Sequence, residues 1–363
     1  MISKDVFRTN NLDLIRLFAA LEVVLHHTLE HFHMRDTWLY SSTAWFPGVP
    51  VFFFTSGFLI SKSFENNSRL AEYARNRALR IFPALVACTA LSIVALFATG
   101  YLATQAWSAA DLIVWAVGQV TIVQFYNPEF LRAFGFGVLN GSLWTITVEL
   151  QFYVLIPLLY WGLARLSRFG VSATRALIVL ILLFACANAV YKHLAALDPE
   201  AFVIRLGYVT FIPWLFMFML GILAQKHFDA LYPLVNGRTV PIAVCYGLIA
   251  ALGVRYCGWT TGNEITPLLF PFLAITVLSA AYSAPTLAKR LLGGNDISYG
   301  VYIFHMPLIN LLIFYQYGSG WGDVVAVFGL TLAAATCSWF FVERIAMRKK
   351  RHPLLAHEMS RRS

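Results

Sequence analysis

The chain has 363 residues, of which 59% are hydrophobic and only 12% are charged, and its mean hydropathy is +0.67. Water-soluble domains carry about 25% charged residues, so this composition excludes a soluble enzyme and indicates a polytopic helical membrane protein. The net charge of +9 comes from Lys and Arg in short loops between apolar segments. That distribution is typical of membrane topology and does not favour a nucleic-acid partner.

The termini and the cysteines exclude several further classes. Residues 1–10 are polar and the first apolar segment is charged, so we expect no cleavable signal peptide. The cysteines lie in or beside apolar segments, without paired or metal-like spacing. We therefore expect small buried side chains, with neither disulfides nor a metal site. The cysteines are Cys88, Cys186, Cys245, Cys257 and Cys337.

The first apolar segment, residues 11–30, is unusually rich in ionisable groups. Such groups in a membrane helix usually face a protein interior or a wet cavity. Arg16 and His27 are eleven residues apart, which places them within about 20° of each other and roughly 16 Å apart along a helix. Asp13 lies within about 40° of His27 on the same stripe. This geometry suggests a ligand path that runs from an arginine to a histidine.

A purely structural interpretation of the same segment is also open. A transmembrane histidine often bonds to a neighbouring helix, and Glu22 can pair with His26 at a spacing of four residues. Either His26 or His27 is a candidate for chemistry, but only His27 shares the face of Arg16.

Ten further apolar segments follow along the chain. They lie at about 47–62, 81–100, 108–126, 143–163, 176–194, 207–225, 239–256, 265–283, 297–316 and 323–342. Clusters of Lys and Arg at the ends of the segments mark cytoplasmic loops. All of these clusters can lie on the cytoplasmic side only if one segment between residues 81 and 163 does not cross the membrane. The weakest is 108–126, which Asp111, Gly118, Gln119 and Gln124 interrupt.

We therefore predict an all-α, polytopic membrane bundle of about ten transmembrane helices, with both termini cytoplasmic. The segment 108–126 is then re-entrant or lies at the outer interface; as an eleventh crossing it would instead place residues 165–175 outside. Residues 1–345 form a single membrane-embedded domain in this scheme, and residues 346–363 form a basic cytoplasmic tail.

Basic residues stand before the apolar segment at 81–100. Arg75, Arg77 and Arg80 precede it, and Pro83 is expected in its first turns. The preference for positive charge on the cytoplasmic side explains them by itself. A sharper hypothesis is a phosphate site, because Arg77 and Arg80 project from one helix face and guanidinium groups suit phosphate oxygens. Upstream, Gly57 is expected to permit close helix approach.

Two later segments carry polar stripes. Ser142 is a candidate N-cap, and Glu149 stacks on Thr145 and Tyr153 at a spacing of four residues. A buried glutamate there serves either as an acid or base or as the partner of an arginine. The second stripe, in 297–316, is expected to point inward and contains Ser298, Tyr302 and His305. His305 is a candidate either for chemistry or for a hydrogen bond. Trp144 and Tyr299 are interfacial or packing aromatics.

These stretches together resemble the acyltransferase family 3 membrane proteins, which O-acetylate bacterial surface polysaccharides and related glycans. The resemblance covers nearly the whole chain, through LDLIRLFAALEVVLHH, PVFFFTSGFLI, RALRIFPAL, GSLWTITVE and ISYGVYIFHMP in the family's order. The family's Arg-x10-His pattern falls on Arg16 and His27, and its Arg-x-x-Arg pattern falls on Arg77 and Arg80. Many relatives carry an extracytoplasmic SGNH hydrolase-like domain, which these 363 residues lack.

The resemblance implies a multi-pass protein of the bacterial inner membrane that takes acyl-CoA, usually acetyl-CoA, as co-substrate and has no tightly bound cofactor. The acceptor is a hydroxyl of a glycan or lipid-linked glycan, and transfer is completed in the membrane domain or by a separate periplasmic or glycan-assembly partner. We expect Arg77 and Arg80, with help from Arg16, to hold CoA. His27 is the general base or acyl carrier, and Glu149 orients or protonates that centre.

Two other classes of function fit the same residues. A proton-coupled transporter of a glycan or small organic solute also carries intramembrane His, Glu and Arg, and it moves substrate without consuming CoA. A non-enzymatic membrane partner of a glycan-assembly complex is the third class, and it would be indifferent to His27.

Overall fold

A computed structural model describes residues 4–349, and all regular structure within that range is helical. The principal helices are α1 (Leu12–His31), α2 (Gly48–Asn66), α3 (Leu70–Ala98), α4 (Ala109–Gln119), α5 (Trp144–Arg168), α6 (Ala173–Leu197), α7 (Leu215–Lys226), α8 (Thr239–Cys257), α9 (Phe270–Tyr282), α10 (Ser298–Phe314) and α11 (Trp321–Ser338). Shorter helices lie at Lys4–Arg8, Trp38–Thr43, Phe202–Tyr208, Phe228–Val235, Leu287–Leu292 and Arg344–Arg348. Short 3-10 turns lie at Tyr101–Thr104, Glu129–Leu131, Gly141–Leu143 and Gly262–Glu264, and a π-helical turn spans Trp339–Glu343.

The predicted all-α membrane class is confirmed. Each predicted apolar segment contains one principal helix, and six helical stretches of the described chain are long and apolar enough to cross a bilayer. The protein is therefore multi-pass. Helix α4 has 11 residues and rises only about 16 Å, roughly half a bilayer core. Because α7 and α9 have only 12 and 13 residues, helix length does not decide the number of crossings, which stays a prediction along with the sidedness of the termini.

The predicted start of the third segment is wrong. Helix α3 begins at Leu70 instead of about residue 81, so Arg75, Arg77 and Arg80 lie within the helix and Pro83 lies in its fourth turn. Hydropathy marks only the apolar part of a helix, whereas Ala, Leu, Glu and Arg at 70–80 are strong helix formers that extend it further. Residues 350–363, most of the predicted basic tail, lie outside the described residues.

The predicted burial of the cysteines is correct only for Cys88. Cys186, Cys245, Cys257 and Cys337 are exposed at the protein surface. All four lie on apolar helices. In a bilayer, lipid tails are as apolar as a protein core, so a small apolar side chain gains little by turning inward.

The chain divides into two compact units. The first contains the described residues up to Lys62 together with Leu158–Ser298, and the second contains Ser63–Pro157 together with the described residues from Tyr299 onwards.

Aromatic rings and glycines pack the first unit. Phe58 stacks on Phe7, with ring centroids 5.2 Å apart, and the neighbouring Phe228 and Tyr282 rings are 4.7 Å apart. Helices α2 and α7 cross at two glycines, because a Cβ on Gly57 would overlap the carbonyl of Phe218 and one on Gly221 would overlap the carbonyl of Phe54. The close helix approach predicted at Gly57 is confirmed.

A buried asparagine organises the loop before α5 in the second unit. Asn310 of α10 is completely buried. Its Oδ1 accepts from the Phe136 N–H at 3.0 Å, and its Nδ2 donates to the carbonyls of Val138 and Leu139 at 3.0 and 3.2 Å. Gly135 has φ +60° and a Cβ there would overlap Asn310 Oδ1, so this position requires glycine. The loop 135–139 is thereby held against α10.

Candidate functional site

Helix α1 presents the Arg16–His27 stripe without interruption. The helix is continuous from Leu12 to His31, so the predicted angle of about 20° between Arg16 and His27 applies. Both side chains are half-buried, whereas Asp13 is exposed. The His27 ring lies 5.8 Å from the His26 ring and 6.1 Å from the His31 ring. Three imidazoles therefore lie together near the end of α1.

Arg16 has a partner that sequence reasoning missed. Its Nη1 lies 2.8 Å from Oδ2 of Asp296, and the two side chains are only 17% and 12% exposed. The other oxygen, Oδ1, accepts from the N–H and hydroxyl of Ser298 at 3.2 and 2.5 Å. Asp296 thus caps α10 and neutralises Arg16 at once. The available signal was an Asp-x-Ser sequence just before an apolar helix, which is typical of a helix start.

His26 is engaged in a structural network. The Thr43 hydroxyl donates its single hydrogen to the Tyr40 carbonyl. The hydroxyl oxygen of Thr43 therefore accepts from the His26 Nδ1–H at 2.9 Å. The His26 ring stacks on Tyr40 with centroids 4.8 Å apart, and its Nε2 lies 3.7 Å from Glu30. These contacts hold His26 on a helix face about 100° away from His27.

Glu22 has a partner other than His26, with which its spacing would allow it to pair. Glu22 Oε2 instead accepts from the Gly48 N–H at 2.6 Å, at the first residue of α2. A carboxylate at a helix N-terminus satisfies an N–H group that has no partner within the helix. Glu22 therefore joins α1 to α2 within the first unit.

Arg77 and Arg80 occupy one face of α3 in the second unit, as their spacing predicts. The Arg77 guanidinium carbon lies 5.7 Å from the centre of the Tyr153 ring. The Nε atom of Arg77 is buried and has no hydrogen-bond partner within residues 4–349. Arg80 Nη1 lies 3.6 Å from the sulfur of Met347. The two cations are held against aromatic and thioether groups, which fix their positions and leave hydrogen-bonding capacity at Arg77.

Glu149 lies beside the same tyrosine. The Tyr153 hydroxyl donates to Glu149 Oε1 at 2.6 Å, which confirms the predicted pairing at a spacing of four residues. The Tyr73 hydroxyl donates to the Tyr153 carbonyl at 3.1 Å. Arg77, Tyr153 and Glu149 therefore form one cluster in the second unit, whereas Arg16 and His27 belong to the first.

The remaining predicted residues of the second unit have structural partners. Tyr302 hydroxyl lies 2.6 Å from Thr145 Oγ1 and donates to the Ser142 carbonyl at 3.1 Å. His305 is completely buried, and its Nδ1 lies 2.6 Å from the Tyr302 carbonyl, as expected for a hydrogen-bonding histidine. The Tyr299 hydroxyl donates to a backbone carbonyl of α3 at 3.2 Å, which confirms a packing role.

Ser142 is not the N-cap that its position predicts. Its hydroxyl donates to Asn140 Oδ1 at 2.8 Å, and a 3-10 turn at Gly141–Leu143 precedes α5. The turn leads the chain into the helix in place of a side-chain cap. Trp144, which is half-buried, is the first residue of α5.

Four amide side chains that the sequence did not bring together surround a small cavity in the second unit. The cavity measures about 110 Å³ and is lined by Gln119, Gln124, Asn127 and Asn140, with Trp115 and Tyr126. Gln119 and Gln124 stood out in the sequence only as interruptions of an apolar segment. Among residues 4–349, no three His, Cys, Asp or Glu side chains are arranged to hold a metal ion.

Comparison with known proteins finds matches over nearly the whole chain. A family model described as an acyltransferase domain matches residues 9–343. Nodulation protein 10 of Rhizobium leguminosarum bv. viciae is 31% identical over 97% of this chain and 96% of its own. The O-acetyl transferase of Shigella phage Sf6 is 25% identical over 93% of this chain and 96% of its own.

A third relative matches over a shorter stretch. The O-acetyltransferase OatA of Staphylococcus aureus is 27% identical over 40% of this chain and 24% of its own. No solved structure matches. Because the family model spans nearly the entire sequence, the chain belongs to acyltransferase family 3.

Proposed function

We propose that this protein is an acyl-CoA-dependent O-acyltransferase that moves a short acyl group, acetyl in the first instance, onto a sugar hydroxyl of a cell-surface polysaccharide or lipid-linked glycan. The observation that carries the proposal is the family match over residues 9–343, supported by full-length similarity to an O-acetyl transferase. We place the protein in the bacterial inner membrane because of its family, and we place both termini on the cytoplasmic side because of the distribution of Lys and Arg.

Arg77 and Arg80 are proposed to bind the phosphates of CoA. They project from one face of α3, and the buried Nε of Arg77 has no hydrogen-bond partner. One guanidinium group can donate two parallel hydrogen bonds to the oxygens of a phosphate. Such charge-assisted bonds are stronger than hydrogen bonds between neutral groups. Arg16 is proposed only to assist, because Asp296 already balances its charge.

His27 is proposed as the group that activates the acceptor. Its imidazole takes the proton of the sugar hydroxyl while the hydroxyl oxygen attacks the thioester carbonyl carbon. The C–S bond then breaks, and the CoA thiolate recovers the proton from the imidazolium. In the alternative order the imidazole nitrogen attacks the thioester carbonyl first and expels the CoA thiolate; the sugar hydroxyl then attacks the acyl-imidazole, the C–N bond breaks, and the hydroxyl proton passes to the thiolate. Glu149 is proposed to orient or protonate this centre, with the Tyr153 hydroxyl holding its carboxylate.

Replacement of His27 tests the chemistry. In purified protein in nanodiscs, with acetyl-CoA and cell-envelope glycan, His27→Ala is expected to reduce kcat by about 100-fold or more, the usual contribution of general acid–base catalysis. His26→Ala is the matched control, because it removes an adjacent imidazole that bonds Thr43. It should lower thermal stability and leave kcat within a few-fold.

Equal kcat in wild type and His27→Ala would refute the mechanism, and the same effect in both variants would refute the assignment to His27. Continued release of CoA, beyond one equivalent per protein, that does not require glycan would refute acyl transfer to a sugar. Solute flux without any CoA release would favour the transporter hypothesis instead.

Replacement of the arginines tests the donor site separately. Arg77→Ala and Arg80→Ala are each expected to weaken acetyl-CoA binding by about 10-fold or more, since a hydrogen bond to a charged group contributes about 1.5–3 kcal/mol. Arg75→Ala is the control, because Arg75 is an exposed cation on the same helix. Unchanged affinity in the Arg77 and Arg80 variants would exclude them from the donor site and leave the role of His27 untouched.

A further inference from the structure

The cavity of the second unit is lined by amide side chains and aromatic rings. It lies where α4 ends and the loop 120–141 begins, and no charged side chain within residues 4–349 lines it. Three of its amides already serve the protein. Gln119 Nε2 donates to the carbonyls of Gln124 and Tyr126, Asn127 Nδ2 donates to that of Gly137, and Asn140 Nδ2 donates to that of Ile303.

The fourth amide differs from the others. Gln124 is only 2% exposed, and its Oε1 accepts from Thr147 at 3.3 Å. Its Nε2 is buried without any hydrogen-bond partner. An amide nitrogen carries two donors, and leaving a buried donor unsatisfied is costly. Gln124 lines the cavity, and a small rotation of its side chain would turn this donor toward a ligand oxygen there.

Aromatic rings supply the apolar part of the wall. Trp115 is 2% exposed and belongs to the packed core of the second unit. Tyr126 is 40% exposed. Apolar and aromatic walls with a few placed polar groups are typical of small-molecule sites, and a sugar offers the matching surface of hydroxyl oxygens and C–H groups.

The cavity is preformed. Asn310 holds the loop 135–139 through three hydrogen bonds to its backbone, and the core cluster around Tyr101 and Phe134 packs with Trp115. A site that needs no ordering on binding loses less affinity to conformational entropy.

We propose that this cavity is the subsite that binds a neutral sugar unit of the glycan acceptor, with Gln124 Nε2 donating to a sugar oxygen. The inference rests on the proposed function and names its acceptor class. About 10–15 Å³ holds one water molecule, so a cavity of about 110 Å³ accepts the hydroxyl-bearing edge of one sugar ring. Because no cation lines the wall, neutral sugars should bind better than uronates.

Gln124→Met tests the assignment, because it removes the donor and keeps the length of the side chain. In nanodiscs the variant should raise the KM for glycan roughly 3- to 10-fold, as expected for one neutral hydrogen bond, with kcat and acetyl-CoA affinity unchanged. Thermal stability should change little, since the variant removes one unsatisfied buried donor and also removes the acceptor of the Thr147 hydroxyl. A purely structural role predicts a loss of stability with an unchanged KM for glycan.

The control is Gln105→Met, the same substitution in the same unit at an amide that bonds only its neighbour Thr104. Gln124→Glu, which keeps the shape and replaces the donor by an acceptor, gives a second variant if Gln124→Met folds poorly. Both Gln124 variants should raise the KM for glycan, and Gln105→Met should not. An unchanged KM in the two Gln124 variants overturns the subsite.

A binding measurement separates this inference from the proposed function. Ligand-detected NMR on the wild type without acetyl-CoA should show a stronger binding signal for methyl glucoside than for methyl glucuronide. The Gln124→Met variant should abolish the methyl glucoside signal. If the wild type transfers no acyl group, the proposed function fails while this measurement still decides the cavity. Equal glucoside signals in wild type and Gln124→Met overturn the subsite whatever the enzyme assay gives.

Discussion

Asp296→Asn should lower the free energy of unfolding by about 3 kcal/mol, because it removes one partner of a largely buried ion pair. Arg16 Nη1 and Asp296 Oδ2 are 2.8 Å apart, with side chains only 17% and 12% exposed. Breaking such a pair costs about 3–5 kcal/mol, since the remaining charge is left buried. The new amide still accepts from Ser298 through its oxygen, which places the expected loss at the lower end of that range.

A double-mutant cycle isolates the pair itself. Arg16→Met should cost a similar amount, about 3 kcal/mol, by leaving the Asp296 carboxylate unpaired. The double variant leaves no buried charge, so its loss should be below about 3 kcal/mol instead of the sum of about 6. The expected coupling free energy is therefore at least about 3 kcal/mol.

Denaturation of the four proteins in mixed micelles, followed by tryptophan fluorescence, measures this coupling. The control is the same cycle at Arg132 and Glu129, an ion pair with side chains 62% and 87% exposed, where coupling should be close to zero. Additive losses at Arg16 and Asp296, within about 0.5 kcal/mol, would refute the view that Asp296 anchors Arg16.

Three further variants test packing and topology. Gly221→Ala should destabilise the first unit by about 1–3 kcal/mol, because the new Cβ would overlap a carbonyl of α2. The control Gly329→Ala should be neutral, since a Cβ there meets no described atom within 4 Å. Equal stabilities of the two variants would contradict this packing. Asn310→Leu should release the loop 135–139 and speed its amide hydrogen exchange at least 5-fold, because about 1–3 kcal/mol of buried hydrogen bonding is lost; unchanged protection would contradict it. Phe169→Cys, at an 80% exposed position, should react with a membrane-impermeant maleimide only from the cytoplasmic side, and reaction from outside would favour eleven crossings.

The motif helices show how far local pattern reaches. Residues 12–31 form one uninterrupted helix, so the shared face of Arg16 and His27 follows from spacing alone. Arg77 and Arg80 likewise share a face of α3. Where the pattern failed, as at the start of α3, hydropathy described the part of a helix that suits lipid and missed the helix-forming residues beyond it.

Side-chain partners were less accessible to sequence reasoning. The spacing of Glu22 would allow it to pair with a residue one turn away on its own helix, and it instead accepts from Gly48 on the next. Ser142 was expected to cap a helix and instead bonds Asn140. In both cases several nearby groups could satisfy the same polar atom, and only packing between elements selects one of them.

The sequence by itself determined the helical membrane class, the approximate place of each principal helix along the chain and the faces on which the motif residues lie, because hydropathy and the 3.6-residue period are local properties. Tertiary structure alone decided that Asp296, 280 residues from Arg16, neutralises that arginine. It also decided that four amides scattered over residues 119–140 line one cavity. Those outcomes depend on contacts between distant segments, and such contacts leave no periodic signature in the chain.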